Sequence, residues 1–247
     1  MLYEFMDRYI WHDFTNEILL HTNKEYKSPI IVFDIGCFIG NFSRKIRKKF
    51  PDGLFFLFDP NPNLKIDDFN HYKLALSNSA KERTYYLNNF FPGGGSSLSQ
   101  NAKNDFLWNL TRKIITFKFW KDYSEHKVNT ITLDKFCEEK KIKHIDILKI
   151  DVDGTELEVL LGGDKMLNMV KIILVEVNDT KSKFKEKFIQ VKNLLEKKYS
   201  FKLEKQKKMW SVSVFSDIKV VDTLFVKNGH KIESQQLFLR HKCQTIN

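Results

Sequence analysis

Two carboxylates follow an apolar segment in the second half of the chain. Asp151 comes directly after residues 147–150, and Asp153 stands two positions later. A carboxylate at such a place can remove the proton from an alcohol that acts as a nucleophile. We therefore predict Asp151 and Asp153 as catalytic residues. A structural alternative stays open for Asp153, because Glu156 three positions later would complete a capping box at a helix start.

A second group of residues is suited to holding a ligand against the backbone. An apolar run, residues 30–33, leads into a loop that contains Gly36 and Gly40, and a second apolar run, residues 54–58, ends at Asp59. Strand, glycine loop, helix, strand and acid in this order are typical of a half-site for an adenosine-containing cofactor. Asp59 lies 19 positions (59 − 40) past Gly40, which suits an acid that binds ribose hydroxyls.

The residues between the two glycines favour a cofactor without a pyrophosphate. A dinucleotide loop has a further glycine where the chain passes the phosphates, and Cys37 and Phe38 stand there instead. This counts against an NAD-dependent oxidoreductase and favours S-adenosylmethionine. Alternatively, the two glycines are present only because the backbone needs a positive φ and close packing there, and Asp59 is only an acid in a turn. The predicted cofactor contacts are Asp34, Gly36, Cys37, Phe38, Gly40, Asn41, Phe42, Asp59, Pro60 and Asp151.

The elements that must position these residues alternate along the chain. We predict strands over residues 30–34, 54–59, 72–76, 145–151 and 172–177, with helices over 155–168 and 184–199. Nearly continuous apolar strands are typical of parallel strands buried on both faces. The alternation predicts an α/β fold with a doubly wound, Rossmann-like sheet. An antiparallel pair, residues 201–215 and 220–226, is expected to close the sheet edge.

The same pattern predicts how the chain is divided. Residues 1–27 read as a helical cover, residues 28–228 as the main domain and residues 229–247 as a polar tail. Residues 88–129 interrupt the alternation and are rich in glycine and aromatic residues. Long insertions between strands are more often functional than idle, so we expect this insertion to lie on the acceptor side of the site.

Composition limits the remaining possibilities. The 247 residues include three cysteines, which are far apart and not spaced as metal ligands, so neither a disulfide framework nor a zinc site is expected. We expect a cytoplasmic, reducing location, with no signal peptide and no membrane span. The formal charge of +10 includes a basic cluster at residues 44–49. It reads either as a solvated surface or as attraction to an anionic partner such as nucleic acid.

The ordered series of motifs resembles the FkbM family of S-adenosylmethionine-dependent methyltransferases. The matching segments are Asp34-Ile35-Gly36 with Gly40-Asn41-Phe42-Ser43, Phe58-Asp59-Pro60-Asn61-Pro62, Ala75-Leu76-Ser77, Ser96-Ser97-Leu98, Thr132-Leu133-Asp134, Leu148-Lys149-Ile150-Asp151-Val152-Asp153-Gly154 and Val175-Glu176-Val177. The chain departs from the family where Asp59 and Asp153 replace the usual glutamates, and where Cys37-Phe38 replaces a small residue.

The resemblance implies O-methylation, commonly of sugar hydroxyls, on a class I methyltransferase fold of seven strands with an antiparallel last strand. It places Ser77 near the adenine and the loop at residues 93–97 beside the methionine end or the acceptor. A sugar or glycan acceptor would then contact Ser96, Ser97, Trp120 and Glu176. The aromatic residues of the insertion could equally serve only to cover the sheet.

Other interpretations stay open at this stage. Asp151 together with Glu176, Asn178 or Asp179 could hold Mg²⁺ through oxygen ligands, an arrangement that we do not favour over a carboxylate base. A nucleic-acid ribose or base methyltransferase would need basic residues beside the cleft, whereas residues 44–49 follow the first helix away from its glycine loop. A cofactor-binding protein without catalysis is the third interpretation. The sequence predicts no oligomeric state.

Overall fold

The computed structural model describes residues 13–22, 29–89, 95–99, 123–208 and 218–228. The helices are α1 (Thr15–His21), α2 (Asn41–Arg47), α3 (Leu133–Glu139), α4 (Glu156–Leu161) and α5 (Lys181–Asn193), with a 3₁₀ turn at Met166–Met169 and a π-turn at Leu194–Lys198. The strands are β1 (Ile31–Ile35), β2 (Leu54–Phe58), β3 (Asn70–Tyr72), β4 (Ala75–Leu76), β5 (Glu82–Asn88), β6 (Tyr123–Ile131), β7 (Ile145–Ile150), β8 (Val170–Thr180), β9 (Phe201–Lys208) and β10 (Ile218–Lys227).

Seven strands form one sheet in the order β3-β2-β1-β7-β8-β10-β9. The first five are parallel to one another, and β10 runs antiparallel to β8 and to β9. The predicted α/β fold, a mostly parallel sheet with an antiparallel last strand, is confirmed. The last strand lies inside the sheet, so that β9 alone forms this edge.

Different helices cover the two faces of the sheet, and successive side chains of each strand point to opposite faces. In β1, Val32 packs on the face that carries α1 and α2, whereas Phe33 and Ile35 pack on the face that carries α3, α4 and α5. Each fully buried aliphatic or aromatic side chain of this kind contributes about 1.5–3 kcal/mol. The alternation also turns Asp34 toward α2, where Ser43 donates a hydrogen bond to it over 2.8 Å.

One predicted strand is two separate elements. Residues 72–76 were expected to form a single strand, but Tyr72 ends β3 beside Phe58, and Ala75 and Leu76 pair with β6. A tight turn between them, closed by the Leu74 amide on the Tyr72 carbonyl, breaks the run. The apolar residues of 72–76 therefore contribute to two different sheets.

A small second sheet flanks the predicted insertion at residues 88–129. Strand β5 pairs antiparallel with β6, and β4 joins the other edge of β6. Residues 95–99 lie across this sheet through the bridge between Tyr86 and Ser97. The predicted acceptor contact Trp120 lies outside the described residues, as do Gly93 and the tail at 229–247.

The structure describes part of the N-terminal cover and of the basic cluster. Within the predicted cover, Ile18 of α1 and Phe14 directly before the helix are buried against the sheet. In the basic cluster at residues 44–49, Arg44 and Arg47 both bind the Asp68 carboxylate over 2.8 Å, so two of its charges are already compensated. In the part of the chain that the structure describes, no helix is long and apolar enough to cross a membrane.

Candidate active site

The loop between β1 and α2 passes directly against the end of β7. Gly36 has a φ of +74°, and a Cβ atom there would lie 1.6 Å from the backbone oxygen of Asp151. Gly40 has a φ of +79° and is the N-cap residue directly before α2, and its amide donates to the Cys37 carbonyl over 2.8 Å. Only glycine fits the first position without moving β7, so the two predicted groups of site residues meet here.

Asp59 closes this loop from the next strand. One of its carboxylate oxygens accepts the Phe38 amide over 3.0 Å, and the other accepts the Asn61 amide over 3.0 Å. Burial raises the pKa of Asp59 to about 6, although the two amide donors act in the opposite direction. Asp59 is thus both the acid at the end of β2 and the group that sets the path of the glycine loop. Pro60 follows it and is half-buried.

The remaining predicted loop residues lie around this backbone. Cys37 is buried, and burial raises the pKa of its thiol well above the usual range, so it is not an activated nucleophile. Asn41 is the first residue of α2. The ring of Phe42 lies 5.8 Å below the ammonium of Lys149.

Lys149 joins the two groups of carboxylates. Its ammonium nitrogen lies 3.0 Å from an oxygen of Asp151 and 3.4 Å from an oxygen of Asp34, and it also lies 3.4 Å from the Gly36 carbonyl. Burial alone would lower the pKa of Lys149, but the Asp151 and Asp34 carboxylates outweigh it and raise the pKa far above its usual value. The Lys149 side chain is 15% exposed, so its charge is compensated within the site and not by solvent.

Asp153 is held in the turn between β7 and α4. Its backbone has a φ of +51°, and its carboxylate accepts the Gly95 amide over 2.7 Å and the Asn178 side-chain amide over 3.1 Å. The capping alternative is wrong, since Thr155 occupies the N-cap position and Glu156 accepts the Gly154 amide instead. Burial, followed by the charges of Asp151 and Glu156, raises the pKa of Asp153 to about 7.

Further acids surround this turn from β8 and β10. Glu176 lies opposite Asp222 in the antiparallel register, and burial together with Asp151 and Asp222 raises the pKa of Glu176 well above its usual value. Asn178 also lies 3.4 Å from an oxygen of Glu176. Among the described residues, no group of three or more His, Cys, Asp or Glu side chains is arranged to hold a metal ion.

The predicted serines have different partners. Ser97 donates to the Val152 carbonyl over 3.0 Å, and the Ser96 hydroxyl accepts the Asn88 amide over 2.9 Å, so the 95–99 segment lies against the Asp153 turn. Ser77 is fully buried and donates to Glu158 over 2.8 Å. A contact of Ser77 with the adenine stays a prediction.

Two residues of this region were missed in the sequence. Tyr85 on β5 is buried, and burial with the nearby Asp59 charge raises the pKa of its phenol far above its usual value. Lys187 on α5 is buried and lies 2.6 Å from an oxygen of Glu156. A signal existed for Lys187, which falls between Phe184 and Val191 on the apolar face of the helix. No comparable signal marks Tyr85.

The arrangement fits an adenosine-containing donor without phosphates. Because Gly36 has no side chain, the loop packs directly against the backbone oxygen of Asp151, and Asp59 offers carboxylate oxygens beside the same loop. The carboxylates of Asp34 and Asp151 share one cation, Lys149, so that negative groups outnumber positive ones here. Such a charge suits a cationic donor and opposes a pyrophosphate.

Comparison with known proteins bears on this arrangement. The sequence model of a family described as "Methyltransferase FkbM domain" matches residues 34–203. Methyltransferase 1 of Beauveria bassiana (strain ARSEF 2860) is 25% identical over 179 residues, which cover 68% of this chain and 70% of that protein. The 2-O-methyltransferase NoeI of Sinorhizobium fredii (strain NBRC 101917 / NGR234) is 27% identical over 171 residues, which cover 62% of this chain and 65% of that protein.

The fold was also compared with solved structures. The crystal structure of a methyltransferase FkbM from Methylobacillus flagellatus KT superposes with a TM-score of 0.45 and 7% identity. The superposition covers 83% of this chain and 47% of that one.

Proposed function

Because the chain belongs to the FkbM family of methyltransferases, we propose that it transfers a methyl group from S-adenosylmethionine to a hydroxyl oxygen of a sugar. The observation that carries the proposal is the contact of Gly36 with Asp151. It joins the loop suited to the donor with the carboxylates suited to an alcohol acceptor. A relative named as a 2-O-methyltransferase supports oxygen as the methylated atom, and the sugar follows from the acceptors common in this family.

The donor would be held by residues from three strand ends. Gly36 and Gly40 would lie beneath it, Asp59 would bind the ribose hydroxyls, and Asp34 and Asp151 would lie nearest its cationic end. When bound, S-adenosylmethionine supplies a methyl group on a positively charged sulfur, which is a good leaving group. The protein's main contribution is then to orient the acceptor oxygen toward that methyl group and to exclude water.

A carboxylate would remove the proton from the acceptor hydroxyl. Asp151 is about one-third exposed and accepts a contact from Lys149, so one of its oxygens stays available to a substrate. Asp153 has a pKa of about 7, which lies close to the pH at which a general base is most effective. We propose Asp151 and Asp153 as the pair that receives this proton, with Ser96, Ser97, Trp120 and Glu176 as acceptor contacts.

The surroundings of the reaction are part of the proposal. Cys37 and Cys137 are both free and buried, which supports a reducing, cytoplasmic environment. A nucleic-acid acceptor is disfavoured because Arg44 and Arg47 are paired with Asp68. The acidic residues around Asp151 would also repel a phosphate backbone.

A methyl-transfer screen with labelled donor tests the proposed function. The purified chain is incubated with glycans, nucleotide-sugars and RNA, each with and without excess EDTA. We expect label in a sugar-containing product, with the same rate in EDTA. Label in RNA alone would replace the proposal with the nucleic-acid interpretation. Loss of activity in EDTA would show that a divalent metal takes part.

A further inference from the structure

A buried lysine on α5 contacts three oxygen atoms beside the Asp153 turn. The ammonium nitrogen of Lys187 lies 2.6 Å from an oxygen of Glu156, 2.7 Å from the Gly154 carbonyl and 2.8 Å from the Asn178 carbonyl. The ammonium donates hydrogen bonds to the two carbonyls, and its contact with Glu156 is an ion pair. Lys187 is 9% exposed and Glu156 is 0% exposed.

The three acceptors belong to three different elements. Glu156 is the first residue of α4, Gly154 lies in the turn after β7, and Asn178 lies near the end of β8. The turn is strained, with a φ of +51° at Asp153 and +112° at Gly154. A residue other than glycine with positive φ persists only where its surroundings enforce that conformation. Lys187 supplies such enforcement from the adjacent helix.

The same contacts reach the carboxylate of Asp153. Lys187 holds the backbone of Asn178, whose side-chain amide donates to Asp153 over 3.1 Å. It also holds the carbonyl of Gly154, the residue directly after Asp153. Movement of the lysine would therefore loosen the Asn178 contact with the Asp153 carboxylate and the backbone directly after Asp153.

Fold stability alone does not account for a charge at this place. Position 187 lies on the apolar face of α5, between Phe184 and Val191, where an apolar side chain would pack without losing hydration. Replacing a buried ion pair with apolar residues is often neutral or stabilising. The specific gain from Lys187 is the geometry of the turn that it holds.

We propose that Lys187 is a positioning residue for methyl transfer, which fixes the Asp153 turn against the end of β8 so that the carboxylates face the acceptor. The proposal rests on the proposed function for its kinetic consequence. Its structural consequence, a rigid turn at Asp153 and Gly154, is independent of the acceptor.

The test uses paired substitutions, because Lys187→Met alone leaves the Glu156 charge buried without a partner. The double variant Lys187→Met/Glu156→Gln removes both charges, and Lys183→Met, an exposed lysine one turn earlier on α5, is the matched control. We expect the double variant to lose about 100-fold in kcat, as for a small misplacement of reacting groups. Its affinity for S-adenosylhomocysteine should change little, and Lys183→Met should match the wild type.

Amide hydrogen exchange provides a second readout that needs no acceptor. In the double variant we expect the amides of Gly95 and Gly154 to exchange about tenfold faster or more, while the Gly36 amide is unchanged. A folded double variant with wild-type exchange at Gly95 and Gly154 would overturn the positioning role, and so would one with a wild-type kcat. If the wild type methylates no sugar, the proposed function fails, and exchange alone still decides the role of Lys187.

Discussion

Asp34 and Lys149 are register partners in the parallel pair β1–β7, and the Lys149 ammonium lies 3.4 Å from an Asp34 oxygen. The same ammonium lies 3.0 Å from Asp151. One buried cation therefore serves both the carboxylate beneath the cofactor loop and the carboxylate proposed to act on the acceptor. This shared charge lets the two acids lie close together without mutual repulsion dominating the site.

Substitution of Asp151 by alanine should remove turnover while the fold persists. Lys149 keeps Asp34 as a partner, so no buried charge is left alone, whereas the acceptor hydroxyl loses its carboxylate. We expect kcat to fall by about 10²- to 10⁴-fold, with a thermal midpoint near that of the wild type. Asp67→Ala, at an exposed position, is the control. A wild-type rate in Asp151→Ala would remove this residue from the mechanism.

Binding of S-adenosylhomocysteine should weaken in acid through Asp59. Its pKa of about 6 means that the carboxylate protonates as the pH falls through 6, and the ribose then loses a charged acceptor. We expect affinity measured by calorimetry to fall by about tenfold or more between pH 7.5 and pH 5. Asp59→Asn should bind weakly at both values, and Asp52→Asn, at an exposed position, should behave as the wild type. Equal affinities for the wild type across this range would exclude Asp59 as the ribose acid.

The two loop glycines should differ in their tolerance of alanine. Both have a φ near +75°, and a left-handed alanine carries a similar cost of about 1–2 kcal/mol at either position. Only at Gly36 would the new Cβ also lie 1.6 Å from a backbone oxygen, whereas at Gly40 it meets a leucine side chain at 3.1 Å. We expect urea unfolding to show a clearly larger loss for Gly36→Ala than for Gly40→Ala. Equal losses would mean that β1 and β7 are less closely apposed.

Turnover should rise with pH through about 7 because of Asp153. Its carboxyl has a pKa of about 7, so the fraction able to accept a proton increases as the pH rises through that value. We expect kcat/KM for the acceptor to follow this rise in the wild type and to lose it in Asp153→Asn. An identical rise in the variant would assign the titration to another group.

The central strands could be predicted because their sequence is dominated by burial. Four predicted strands are apolar runs that are buried on both faces of the sheet, and all four are strands in the structure. They are residues 30–34, 54–59, 145–151 and 172–177. Strands β5 and β6 were missed. Both carry charged residues on the exposed side of a small sheet, and their pairing depends on partners about 40 residues away.

The site was predictable where short-range geometry determines it. The glycines and Asp59 follow from a loop between two adjacent strands, and Asp151 follows directly from the end of β7. The hydrogen-bond partners of Asp153 could not be predicted, because Gly95 and Asn178 lie 58 and 25 residues away from it in the sequence. Lys187 was missed for the same reason, since its three acceptors come together only in the folded chain.

The most direct test of the account is the chemical identity of the methylated product. The wild type is incubated with donor that carries a deuterated methyl group and with the acceptor found by the screen, and the product is examined by mass spectrometry and NMR. The account predicts a deuterated methyl ether on a sugar oxygen, formed by the wild type and absent with Asp151→Ala. A methyl group on nitrogen or carbon, or on a nucleic acid in place of a sugar, would contradict it.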